Sequence, residues 1–132
     1  MMGAWWLIRI AYSIPSILWM ALIFALSSRQ TLPPPPGVSF STGAIIGHFS
    51  LYFVLTVLLA VAFSGALRPN AWAIFAAAVA ASFYGISDEF HQAFVPGRSA
   101  TLFDVIVDAS GAFSAAAFIL LASNRLRSRE SP

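Results

Sequence analysis

Four long apolar stretches, joined by three polar connections, make up most of this 132-residue chain. They run over 7–26, 44–63, 71–86 and 102–121. A helix needs about 20 mostly apolar residues to cross a bilayer. The third stretch has only sixteen residues, and such a helix covers about 24 Å against a hydrocarbon thickness of about 30 Å. It is therefore expected to continue through Ser87-Asp88-Glu89-Phe90-His91, giving a helix over 71–91. The pattern predicts an all-α fold: an integral membrane four-helix bundle formed as one domain over residues 1–132. It leaves no room for a soluble domain, and no internal repeat is evident.

The connections predict their own local structure. Pro33 to Pro36 favour an extended polyproline II spacer, which Gly37 ends. Residues 64–70 form a short turn around Arg68-Pro69. In Val95-Pro96-Gly97-Arg98, proline and glycine fit the central positions of a type II turn, where glycine supplies the positive φ. Thr101 and Asp104 stand three apart, as in a capping box at the start of the fourth helix. Trp5 and Trp6 suit an interfacial anchor, and Pro15 predicts a kink in the first helix. Ala25-Leu26-Ser27 resembles a signal-peptide cleavage site. The apolar run before it exceeds the usual length of such a leader, so an uncleaved anchor is expected.

Composition agrees with a lipid environment. Hydrophobic residues are 59% of the chain and charged ones 9%, where soluble domains carry about 25% charged residues. All seven basic residues are arginines. Arg125, Arg127 and Arg129 form a short basic tail that suits a membrane surface and is too short to argue for nucleic acid. With no cysteine, disulfides, thiol catalysis and cysteine-based metal sites are excluded. Four spans put both termini on one side, with Arg9, Arg68, Arg125, Arg127 and Arg129. Arg29 and Arg98 fall on the other. This asymmetry predicts cytoplasmic N and C termini in a multi-pass protein of the cell (plasma or inner) membrane.

The polar residues are not scattered. Asp88, Glu89, Asp104 and Asp108 are four of the five carboxylates, and they lie within 26 residues of one another together with His91, Gln92 and Arg98. Asp88 and His91 share a helical face, with Tyr84 one turn earlier. Asp104 falls in a first helical turn, where an acid is favourable for helix formation alone. Asp108 lies roughly 9 Å deeper than Leu102 along the helix. An aspartate at mid-membrane costs about 2.5–3.5 kcal/mol, so Asp108 needs a partner. Gly111 and Ala115 extend its face with small residues that let another helix approach. Asp108 is thus expected to point into the bundle, toward His48 or Tyr52 of the second span. His48, Tyr52, Asp88, Glu89, His91, Gln92, Arg98, Asp104 and Asp108 are the predicted ligand-binding residues, converging on one outward-facing pocket. A purely structural lock tying three helices together would use the same charges.

At these residues the sequence resembles the VanZ-like family. "SDEFHQAFVPGRSATLFDVIVDASGA" and the upstream "GHFSLYFVL" carry the resemblance. Asp88-Glu89, His91-Gln92, Pro96-Gly97-Arg98, Asp104, Asp108 and Gly111 stand in the family's order and spacing. Two positions depart from the pattern: Ile45, where family members often have lysine, and Asp108, where many have asparagine. The resemblance implies a small polytopic membrane protein, and the family's founding member is linked to teicoplanin resistance.

Three classes of function fit this site. A binding protein would use Arg98 to grip a phosphate or carboxylate, and Asp88, Glu89 and Asp104 to take a cationic group. Its partners would be membrane lipids and a lipid-linked cell-wall precursor or lipoglycopeptide. A membrane-embedded hydrolase or transferase would act on a lipid-linked substrate at the outer leaflet. It would draw its base from His48, His91, Glu89 or Asp104, with Arg98 stabilising an anionic transition state. A metal-dependent version would use His48, His91 and the aspartates. There is no HExxH motif, the spacing fixes no coordination sphere, and neither a metal nor a cofactor is expected. A proton- or ion-coupled carrier of four spans would have to form a homo-oligomer.

Overall fold

The computed structural model describes residues 5–30, 36–37 and 39–130. Four helices follow one another: α1 Trp5–Ser27, α2 Phe40–Ser64, α3 Ala71–Gln92 and α4 Leu102–Glu130. All four are long and apolar enough to cross a membrane. No strand occurs among the described residues. Pro33–Pro35 and the side chains of Trp5 and Trp6 lie outside what is described, so the polyproline spacer and tryptophan anchor stay expectations.

Local chemistry sets the helix ends. Ser39 Oγ accepts from Thr42 N at 3.3 Å, which starts α2 one turn before its apolar run. Gly65 ends that helix in the left-handed region at φ 64° and donates its N–H to Val61 O at 2.9 Å. Asn70 Oδ1 caps α3 by accepting from Ala73 N at 2.8 Å. The third helix does continue into its polar end, through Gln92. Its 22 residues span about 33 Å, enough to cross. The α4 helix runs nine residues beyond the expected Leu121, to Glu130. Its arginine-rich extension holds no glycine or proline to stop it. The α1 helix passes through Pro15 without a break in helical structure.

Successive helices run antiparallel. The most extensive contact joins α2 and α4; α3 packs against both, and α1 lies mainly on α2. Small residues make this packing close: Ala60, Ala77, Ala78, Ala81, Ala112 and Ala115 are fully buried. Large apolar side chains such as Ile17, Leu18, Phe83, Phe113 and Phe118 point outward instead. The interior, by contrast, holds Thr56, Asp88, Glu89, Gln92 and Asp108. An apolar exterior around an interior that buries charged side chains beside its apolar core suits lipid as the surrounding solvent. Two long-range hydrogen bonds fasten α1 at mid-height: Trp19 Nε1 donates to Leu51 O at 2.9 Å, and the Tyr84 hydroxyl to Met20 O at 2.8 Å.

Candidate functional site

The polar residues gather at one end of the bundle, where α1 and α3 finish and α2 and α4 begin. Between α3 and α4 the chain reverses through Val95–Arg98. Gly97 has φ 80° and Arg98 N donates to Val95 O at 3.1 Å, as a type II turn requires.

One network joins α2, α3 and α4. His48 Nδ1 is hydrogen-bonded to Asp108 Oδ1 at 2.9 Å. Asp108 is fully buried and its partner is His48, while the Tyr52 hydroxyl has no hydrogen-bond partner among the described residues. Glu89 completes the group: one donor atom each from His48, Glu89 and Asp108 lie within 4.8 Å of one another. Asp104 also lies within electrostatic reach of His48. Small residues make the site fit. A Cβ on Gly85 would stand 3.0 Å from Asp108 Oδ2 and 3.3 Å from Tyr52 Cε1. Glycine there leaves room for the carboxylate and the ring between helices.

The predicted capping box is half formed. Thr101 Oγ1 accepts from Asp104 N at 3.1 Å and donates to Asp104 Oδ2 at 2.7 Å. The Thr101 backbone N–H, which the acid of a full box would take, donates to Glu89 Oε2 at 3.0 Å. A site residue of α3 thus holds the first turn of α4.

A second network faces α1. Asp88 Oδ2 accepts from Ser27 Oγ at 2.7 Å and from Gln92 Nε2 at 2.9 Å. Gln92 Oε1 in turn accepts two donors from Arg98, Nε at 3.1 Å and a terminal guanidinium nitrogen. His91 Nε2 lies 3.1 Å from Ser28 Oγ, and its ring stacks on Phe24 with centroids 4.5 Å apart.

The single pocket expected from the sequence is therefore two adjoining networks. Helical rotation explains the division. His91 and Gln92 follow Asp88 by three and four residues and lie on its side of the helix, toward α1, whereas Glu89 is turned about 100° from Asp88, toward α2 and α4. Arg98 makes no ion pair with Asp88, Glu89 or Asp104 and binds the neutral Gln92 amide instead. His91 stands outside the His48–Glu89–Asp108 group, so the ligand set weighed for a metal-dependent enzyme does not come together. Ser27, Ser28 and Gly85 belong to these networks and were not among the predicted residues. Their only sequence signal is a polar serine pair closing the first apolar run, and a glycine one turn before Glu89.

Exposure falls with depth. His48, His91, Arg98, Thr101 and Asp104 are half-buried, whereas Asp88, Glu89, Gln92 and Asp108 are at most 5% exposed. Four oxygens at this depth have no hydrogen-bond partner among the described residues: Asp88 Oδ1, Glu89 Oε1, Asp108 Oδ2 and the Tyr52 hydroxyl. The opposite end is different in kind. A cavity of about 410 Å³ there is lined by Val57, Val61, Phe118, Ile119 and Leu126 and roofed by Leu67–Asn70. Its walls are mainly apolar, with Arg68, Asn70 and Ser123 as the polar lining, and it lies away from the acids.

Four apolar spans around a buried polar end define a small multi-pass membrane protein. Residues 12–123 match the family model described as VanZ/LLP1, and the chain belongs to that family. No curated protein and no solved structure matches it.

Proposed function

We propose that the polar end of the bundle binds the headgroup of a lipid-linked envelope precursor or a glycopeptide-type ligand, and that it faces out of the cell. The gradient from half-buried His91, Arg98 and Asp104 to buried acids with unpartnered oxygens supports this reading most directly. A ligand with an apolar tail would keep that tail against the lipid-facing helices while its headgroup entered between them. Arg98 has three N–H donors left after binding Gln92, enough to hold a phosphate or carboxylate. The unpartnered Asp88 Oδ1 would accept from an amine or amide. A role in teicoplanin resistance is part of the same proposal, on the strength of family membership alone.

The test is lipid retention. Purified protein incubated with polyprenyl-phosphate-linked precursor and bulk phospholipid is expected to retain the precursor preferentially, read by native mass spectrometry. Arg98→Lys keeps the charge but loses the planar fork. It is expected to retain at least fivefold less precursor, with a melting temperature close to wild type. No enrichment in the wild type, or wild-type enrichment in Arg98→Lys and Arg98→Ala, would refute headgroup recognition.

Orientation is proposed from the arginines. The end carrying Arg9, Arg68 and Arg125 is assigned to the cytoplasm. A phosphatase reporter fused after Pro132 should be inactive and a fluorescent-protein fusion bright. The reverse pair would place the acidic end inside and remove the outward-facing ligand.

A further inference from the structure

The geometry points to a divalent transition-metal site, suited to Zn²⁺ or Mn²⁺, formed by His48 of α2, Glu89 of α3 and Asp108 of α4. It stands apart from the headgroup proposal, since it concerns the floor of the site and needs no lipid.

Three observations support it. First, three helices each bring one metal-ligating side chain to the same place, with donor atoms within 4.8 Å of one another. His48 Nδ1 and Asp108 Oδ1 are 2.9 Å apart. Two donors sharing one ion through bonds of about 2.0–2.2 Å stand roughly 3.0–3.4 Å apart, so this pair already has nearly that spacing. Glu89 can close the remaining distance by rotating about its side-chain bonds. Second, Glu89 Oε1 and Asp108 Oδ2 are buried acceptors with no hydrogen-bond partner among the described residues, on residues 5% and 0% exposed. A buried carboxylate oxygen without a partner is costly. Third, with both carboxylates ionised the group would carry −2 beside a histidine that is neutral as a ligand, and would need a counter-charge. Arg98, the cation closest in sequence, is engaged by Gln92 on the other network. One divalent ion would neutralise the pair and give Glu89 Oε1 a partner, and Oδ2 as well where Asp108 binds it through both oxygens.

The donor set selects the class of ion. One imidazole nitrogen and two carboxylates are a mixed N/O set that suits Zn²⁺, Mn²⁺ or Fe²⁺. Thiolate-seeking ions such as Cu⁺ find no sulfur ligand here. The surroundings are those of a held site. Thr101 N holds Glu89 Oε2, and Gly85 makes room beside Asp108. Such supporting contacts orient ligands and are part of how metal sites work.

A proton is the competing neutraliser, and the experiment separates the two. Tag-free protein is stripped with chelator in detergent at neutral pH, then titrated with Zn²⁺ or Mn²⁺ alone. Calorimetry and elemental analysis are expected to show one ion per chain for at least one metal, with a rise in melting temperature that scales with ion concentration. Glu89→Gln should weaken binding of that ion at least tenfold. His91→Ala, outside the cluster, should bind as wild type does. A readout on the wild type alone guards against a variant that fails to fold. Pulsed electron paramagnetic resonance of bound Mn²⁺ should show coupling to one imidazole nitrogen. Absence of stoichiometric binding of either ion overturns the site and leaves protons as the neutraliser. Bound Mn²⁺ without nitrogen coupling, or equal loss of affinity in His91→Ala and Glu89→Gln, also overturns it.

Discussion

Gly111→Ala is expected to destabilise the bundle by about 2–3 kcal/mol, or to prevent its assembly, although alanine favours helix by about 1 kcal/mol over glycine. A Cβ at Gly111 would collide with the Phe49 carbonyl oxygen and come within 3.1 Å of the Phe49 carbonyl carbon and Cα. Those atoms are backbone, so no rotamer relieves the contact and α2 and α4 would have to separate. That would also disturb the His48–Asp108 bond between the same two helices. Gly47→Ala is the matched control: a Cβ there meets nothing within 4 Å. It is expected to be neutral or to stabilise by up to about 1 kcal/mol. Unfolding by SDS titration in mixed micelles measures both. Equal stability of the two variants would mean that α2 and α4 do not approach as closely as described.

The second large effect lies at Asp108. Asp108→Leu is expected to cost about 2–4 kcal/mol, because it removes the His48 acceptor and crowds a site bounded by Gly85 and Tyr52. Asp108→Asn keeps the shape and one acceptor oxygen for His48. It should stay within about 1 kcal/mol of wild type, since most of what the fold uses there is the hydrogen bond. The sign of the leucine effect is decisive. A lipid-facing aspartate would cost about 2.5–3.5 kcal/mol in the membrane, so leucine would then stabilise the protein. A higher melting temperature for Asp108→Leu than for wild type would contradict the inward, paired Asp108.

Much of the architecture was legible in the chain because bilayer thickness is a one-dimensional constraint. Apolar run length predicted four helices, and the shortfall of the third run predicted that Asp88 and Glu89 stand inside a helix. The cost of a buried charge showed that Asp108 faces inward, and the small residues Gly111 and Ala115 marked the side where another helix comes close. Pro96-Gly97 set the turn, since a positive φ at Gly97 is a local property of the backbone. Tertiary structure decided which polar groups meet. Near the end of α3 a step of one residue turns a side chain about 100°, so Glu89 joins His48 and Asp108 while Asp88, His91 and Gln92 turn to Ser27, the last residue of α1, and Ser28 just beyond it. Sequence spacing places residues on a face, but it does not say which helix covers that face. The pairing of Glu89 with the Thr101 amide and of Arg98 with Gln92, and the collision waiting at Gly111, depend on how four helices rotate about their axes. That rotation is set by close packing over the whole bundle, which no single stretch of sequence contains.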